Sequence, residues 1–312
     1  MNLRESRNEN LSRQVREVEL PDQSIQTGKP IVASYFVNFL LGYKSNPEHC
    51  LDDLFVSIAN DIQQHEIDTK ERRYQRKGQQ REDFIRHVRA YILSAYRAHR
   101  QNTDNLKILS VVRNKNQYAK NKYDRLYPHA TYKHAKAAYE GLCSLGYVQE
   151  IAKGFYEKNS KNASKNTEAQ ITEKLIHRLE DVVAGRDFSF CMNGDEIAHA
   201  NFIELKDNNK KKINFDGNQN SVKEMQSNLR SINSFLRDAD ISIPDHIIAC
   251  NNIKLEDVLL YRIFNNSDFG QGGRFYKGWW EHIRSEHRPY ITINGNKAIE
   301  LDYSALHPTI LY

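Results

Sequence analysis

The sequence predicts a mixed α+β chain, and three observations carry that prediction. Phe84, Val88, Tyr91, Ile92 and Ala95 recur at i, i+4, i+7, i+8 and i+11, which puts them on one face of an α-helix. Tyr147 to Ile151 (YVQEI) alternates as a strand does, directly after a helical stretch that stops at Gly146. Further on, Asn294-Gly295, a dipeptide that favours a tight hairpin turn, lies between two extended candidates, Tyr290 to Ile293 and Lys297 to Asp302.

At 312 residues the chain is long enough for two domains and a small third. Its 17 Tyr and 13 Phe set it apart from disordered sequences, which lack aromatic residues. The longest apolar stretch, Ile31 to Tyr43, is broken by Ser34 and Asn38 and falls short of the roughly 20 residues a membrane helix needs. The charged amino terminus lacks the apolar segment of a secretory signal. Cys50, Cys143, Cys191 and Cys250 are far apart, with no CxxC pair, so neither a disulfide framework nor a zinc site is indicated. A cytoplasmic chain with reduced thiols and no membrane partner is expected. The net charge of +5 favours polyanions only where the cations cluster.

Taken in order, residues 1–30 are polar and aperiodic and read as a flexible lead-in ending at Pro30. Residues 31–104 read as a basic helical region. Between Lys70 and Arg100 ten Lys/Arg face three acids, Glu71, Glu82 and Asp83, a local net of +7. Such a run serves equally as a solvated helical face or as a surface that follows phosphates. In residues 105–185 a short apolar run, Asn105 to Val112, precedes a helix expected at Tyr132 to Leu145 with Thr131 as N-cap. Ala135, Ala138, Tyr139, Leu142 and Leu145 form its buried stripe. After the strand at Tyr147 a hairpin is expected, its far arm near Glu168 to Thr172 and its tip rich in Asn, Lys and Ser. In the α/β region 186–312 a helix is expected from Ser221 to Asp238, its buried face formed by Met225, Leu229, Ile232 and Leu236. Val258 to Phe264 reads as a strand, Gly270, Gly272 and Gly273 as a loop, and Trp279 and Trp280 as part of a short helix in which tryptophan is more often core than ligand.

Helix, glycine stop, strand, basic hairpin tip and returning strand, in that order over some 70 residues, resemble a winged helix-turn-helix module. In that family the helix before the wing enters the major groove and the wing meets phosphate. The resemblance implies nucleic-acid contacts from Lys133, His134 and Lys136 on the helix and from Lys158, Lys161 and Lys165 on the wing. Between Arg113 and Lys136 seven Lys/Arg against one acid, Asp124, fit a phosphate-facing surface whose binding is salt-dependent.

The closing segment ELDYSALHPTILY carries a second resemblance. Asp302-Tyr303-Ser304 followed by Leu306 is similar to the first palm motif of family A DNA polymerases. Leu306-His307-Pro308 followed by Ile310 also resembles the matching family B motif, with Ser304 one place off. His307 stands where those families carry the Glu or Tyr that discriminates the sugar. Gly273-Arg274 and Trp280-x-x-Ile283 resemble more loosely the elements that contact primer and template in family A. Gly-Arg-Phe-Tyr at residues 273–276 is similar to an element of single-subunit RNA polymerases. The palm resemblance covers residues 270–312. It implies Asp302 as catalytic residue and ligand of Mg2+, with Tyr303, Ser304, His307 and Arg274 as substrate-binding residues for a nucleoside triphosphate and for nucleic acid.

Two-metal phosphoryl transfer needs a second carboxylate, and none follows Asp302. The expectation is therefore the front part of a template-directed nucleotidyltransferase, completed by downstream or partner sequence and inactive by itself. The alternative is a winged-helix replication initiator or regulator that binds DNA without catalysis. DNA or RNA is the expected partner in either case.

Overall fold

The computed structural model describes residues 34–38, 40–46, 48, 50–101, 108–118, 130–155, 165–244, 246–248, 253–255 and 257–299. The lead-in at 1–30, Lys158, Lys161, and Asp302, Tyr303, Ser304 and His307 lie outside these residues.

The described chain is mixed α+β. Strands β1 (Ser34–Phe36) and β2 (Leu41–Asn46) come first, followed by helices α1 (Asp52–Asp68) and α2 (Gly78–Gln101). These first two elements are extended, where the sequence reads as helical. Gly42 is a poor helix former, and β2 finds an antiparallel partner in β6 (Asp187–Met192) over all six residues. Next come β3 (Ile108–Val111), the single turn α3 (Lys115–Tyr118), α4 (Tyr132–Ser144), β4 (Val148–Ala152), β5 (Thr167–Ile171) and α5 (Glu173–Val183). The first sheet has the order β1-β3-β5-β4, with β5 antiparallel to both β3 and β4 and β1 parallel to β3.

The helix and hairpin expected between residues 131 and 172 are found within a residue of their expected ends. Thr131 caps α4, its Oγ1 accepting from the His134 N–H at 3.4 Å. Gly146 stops it at φ 69°, where the Gly146 N–H reaches the Cys143 carbonyl and the Tyr147 N–H the Leu142 carbonyl.

The core around α2 draws on the whole first half of the described chain. It joins Phe55, Ile58 and Ile62 of α1 with Phe84, Val88, Tyr91 and Ile92 of α2, and adds Leu109, Ala138, Leu142, Ala169 and Leu175. From Tyr91 to Ala98 every residue of α2 is buried, because α1, α4 and strands β1, β2, β3 and β5 all pack on it. An apolar stripe marks only the strongest face of such a helix; small and hydrogen-bonded polar residues fill the rest of the circumference.

The second half comprises α6 (Gly194–His199), β7 (Ile203–Lys206), β8 (Lys212–Ile213), α7 (Asn220–Asp238), β9 (Ile241–Ser242), β10 (Tyr261–Asn265) and β11 (Asp268–Tyr276). Two 3-10 turns (Trp279–His282 and Ser285–Tyr290) lead to the hairpin β12 (Thr292–Ile293) and β13 (Asn296–Lys297). One sheet runs β11-β10-β7-β8 and another β13-β12-β9. Phe202, Ile203, Leu229, Tyr261, Phe264, Trp279 and Ile283 form their shared core.

Three expectations are corrected here. The buried stripe of α7 is Val222, Gln226, Leu229 and Asn233, while Ile232 is 36% exposed. Asn233 hides because its side chain donates to the Leu260 carbonyl at 2.9 Å and accepts from the Leu260 N–H at 2.7 Å. That pair of hydrogen bonds occupies the backbone of Leu260, and the strand expected from Val258 begins at Tyr261. The three glycines at 270–273 are not in a loop but in strand β11, where Gly272 (φ 87°) and Gly273 (φ 75°) form a bulge opposite Phe264. A Cβ on Gly273 would lie 2.6 Å from the Phe264 ring. The Asn294-Gly295 turn is present, with both residues at positive φ.

Candidate nucleic-acid interface

Helix α4 is held on two sides and open on the third. Its buried residues, Ala135, Ala138, Tyr139 and Leu142, face α2 and the sheet. Gly141 faces α1 so closely that a Cβ there would stand 2.2 Å from Ile62 Cγ2. What remains outward is Lys133, Lys136, Glu140 and Ser144, at i, i+3, i+7 and i+11, with Glu140 half-buried and the other three exposed. Lys136 Nζ lies 3.8 Å from Glu140, a loose surface pair, and Lys133 makes no ion pair among the described residues.

From the sequence His134 belongs to this face; in the structure it is an interior residue, 8% exposed. It follows Lys133 by about 100° around the helix and packs edge-on to His87 (5.4 Å between ring centres) and Phe84 (6.4 Å). Burial pushes its pKa below the ordinary histidine value, and Arg76 adds to the effect. His87 is held more firmly. Its Nε2 accepts from the Thr131 N–H at 3.1 Å, so its Nδ1 carries the proton and donates to the Asp83 carbonyl at 2.6 Å. Burial lowers the His87 pKa to about 4.

The β4–β5 hairpin extends past its strands through a bridge between Phe155 and Lys165, each accepting the other's N–H at 2.9 Å. Ile151, Lys153 and Phe155 alternate along its solvent face, Phe155 being 57% exposed. Lys165 is exposed and pairs with Glu168 at 2.8 Å. Lys153 and Phe155 are not among the contacts that the winged-helix resemblance implies; the alternation continuing beyond Ile151 is the signal that finds them.

Part of the expected basic surface is paired with acids of the protein itself. Arg113 bridges Glu140 (3.0 Å) and Glu150 (3.2 Å) across Tyr139, bracing α4 against β4. In the Lys70 to Arg100 run, Arg76 is buried in a two-bond fork on Glu66 (2.5 and 2.8 Å) and lies 3.7 Å over the Phe84 ring. Arg86 and Arg89 face Glu196 of α6, and Arg97 is buried. The outward cations of that run are Lys70, Arg73, Lys77 and Arg100, with Arg72 half-buried. A cleft of about 320 Å³ joins Arg72 to Lys133 and Lys136, with Glu71 and Glu140 also on its wall.

Arg274 is exposed on β11, the edge strand of its sheet, paired in register with Ile263. It is not brought to α4 by any contact described. Trp279 and Ile283 are buried, as core residues are. Among the described residues no group of three His, Cys, Asp or Glu is arranged to hold a metal ion, so no step through Mg2+ follows from them. No helix among the described residues is long and apolar enough to cross a membrane.

Comparison with protein-family models, with curated proteins and with solved structures returned no significant match.

Proposed function

We propose that this chain binds nucleic acid through the outward face of α4 and the β4–β5 hairpin, as a winged helix-turn-helix module does, and that it contributes this binding to a template-directed nucleotidyltransferase. One observation carries the reading: α4 leads directly into a hairpin whose return strand β5 sits between β4 and the earlier strand β3, and both α4 and the hairpin present lysines outward. That order is the one in which a helix and a wing flank the same groove.

The nucleotidyltransferase half rests on the sequence Asp302-Tyr303-Ser304 and on the hairpin that precedes it. Asp302 would be the first ligand of Mg2+, with Arg274 directed at the nucleic-acid backbone. The Asn294-Gly295 turn is in place, but the strand after it, expected from Lys297 to Asp302, covers only Asn296–Lys297, so the approach to Asp302 rests on the sequence alone. The second reading, a replication initiator or regulator that binds DNA without catalysis, needs only the arrangement of α4 and its hairpin and nothing from Asp302.

The test is the salt dependence of binding to a labelled duplex. Replacing Lys133 and Lys136 together by alanine should lower the slope of log K against log salt by about 1 per lysine and weaken all sequences alike. An unchanged slope would remove α4 from the interface. Asp302→Asn, assayed in the protein as its native source makes it, should keep DNA binding and lose Mg2+-dependent incorporation. A variant that incorporates like its parent would remove Asp302 from the chemistry.

A further inference from the structure

We infer that the linker between α1 and α2 is a second nucleic-acid contact in which Tyr74 stacks on an unpaired base, so that the preferred ligand joins a duplex to single-stranded nucleotides. The inference rests on the reading of α4 and the hairpin given above and names the kind of nucleic acid that this surface takes.

Tyr74 is 73% exposed in the segment Lys70-Glu71-Arg72-Arg73-Tyr74-Gln75-Arg76-Lys77. An exposed tyrosine on an untethered loop would mean little, but the linker on either side of this one is tied down. The Arg72 N–H donates to the Glu66 carbonyl at 2.9 Å, and Arg72 Nε reaches forward to the Tyr74 carbonyl at 2.8 Å. On the far side the Arg76 N–H donates to Gln63 Oε1 at 2.9 Å, while the Arg76 guanidinium is clamped by Glu66 and roofed by Phe84. The backbone on both sides of Tyr74 is thus anchored to α1, and the ring is presented to solvent in a prearranged position. Prearrangement lowers the ordering cost of a contact.

The charge around the ring selects the ligand. Glu66 matches Arg76, and within the segment Lys70, Arg72, Arg73 and Lys77 stand against Glu71, with the exposed Asp68 just ahead of them. An aromatic face among cations suits a base and its phosphates, since every base offers a π-face and the backbone is polyanionic. Within a duplex those faces are covered by neighbouring pairs, so a ring standing outside the helix stacks on an unpaired base or on an open end. The cleft shared by Arg72, Lys133 and Lys136 makes the linker continuous with the face of α4. A duplex lying on α4 would therefore pass its frayed or forked end to Tyr74.

The experiment compares binding of the full chain to three labelled DNAs: a blunt duplex, a single strand, and a fork carrying 2-aminopurine at the first unpaired position. The wild type should prefer the fork and quench 2-aminopurine. Tyr74→Ala should weaken fork binding by about ten-fold and leave the blunt duplex within about two-fold. Tyr74→Trp should retain both the preference and the quenching. The side chain is exposed, so both variants should fold, and circular dichroism checks that. Blunt-duplex binding that responds to Lys133 and Lys136 while Tyr74→Ala changes neither fork affinity nor quenching would overturn this inference and leave the interface standing. Wild-type protein that binds none of the three DNAs would overturn the interface itself.

Discussion

His87, in the middle of α2, accepts the backbone N–H of Thr131, the residue that caps α4. The start of the proposed recognition helix is thus fastened by a neutral imidazole from a different helix. The bond requires His87 Nε2 to be unprotonated, and the folded protein keeps it so down to about pH 4.

The unfolded chain takes up that proton near pH 6.5, the folded protein only near pH 4. Stability from this group is therefore complete above pH 6.5 and falls as the pH drops from 6.5 to 4, by about 3 kcal/mol if the full difference is expressed. Urea unfolding at a series of pH values should show the decline. In His87→Gln, whose amide oxygen replaces the acceptor but does not titrate, the part due to His87 should vanish. An equal decline in both proteins would assign the pH dependence to other groups.

Gly141 brings α4 against Ile62 of α1. Gly141→Ala should cost about 1–3 kcal/mol by overpacking, despite the better helix propensity of alanine. The double variant with Ile62→Ala, which removes the colliding Cγ2 methyl, should lose less than the sum of the two single variants. Additive losses would mean that the helices separate freely.

Asn233, though polar, should be about as hard to replace as the buried Leu229 on the same helix. Asn233→Ala strands both backbone groups of Leu260 and should cost about 2–5 kcal/mol. Asn233→Asp keeps the acceptor for the Leu260 N–H but sets a carboxylate oxygen against the Leu260 carbonyl, and should be at least as harmful at neutral pH. Thermal denaturation of the two variants measures both, and a wild-type melting point for Asn233→Ala would deny the clamp any weight.

Glu204 on β7 is a carboxylate that burial alone would push up, but Lys277 (3.2 Å) and Lys212 (3.8 Å) bring it below the usual carboxylate range. Its contribution to stability is present above the ordinary carboxylate pKa and is lost as the pH falls through the lowered folded value. Lys277→Met should shrink that acid-side loss, which urea unfolding between about pH 5 and pH 3 would detect. An unchanged acid limb would deny the Lys277 pair its effect.

The helices and the hairpin around α4 are legible in the sequence because local signals agree with the tertiary fold. Thr131 and Gly146 mark the two ends of α4 by cap chemistry that needs no long-range partner. The stripe of α7 is not legible in this way: Gln226 and Asn233 are polar and read as outward, whereas each is buried by hydrogen bonds to backbone groups distant in sequence. His134 misleads for the opposite reason. A histidine beside two lysines suggests a ligand, yet one step around the helix turns it inward. The bulged strand β11 reads as a loop because its glycines serve close packing on Phe264, which only the partner strand reveals. Of the proposed interface, Lys133, Lys136 and Lys165 are outward, while the exposed Phe155 and Tyr74 escape a sequence reading because aromatic residues ordinarily belong to cores.

The burial of α2 on every side from Tyr91 to Ala98 bears on how the molecule is dissected. A fragment beginning at residue 105 would carry α4 and its hairpin but leave behind Phe84, Val88, Tyr91 and Ile92, the wall against which they pack. A deletion series that trims from the amino-terminal side should therefore lose soluble expression abruptly once it enters α1 or α2, and a fragment that keeps α4 and its hairpin folded has its boundaries ahead of β1 and beyond β6, near residues 34 and 192.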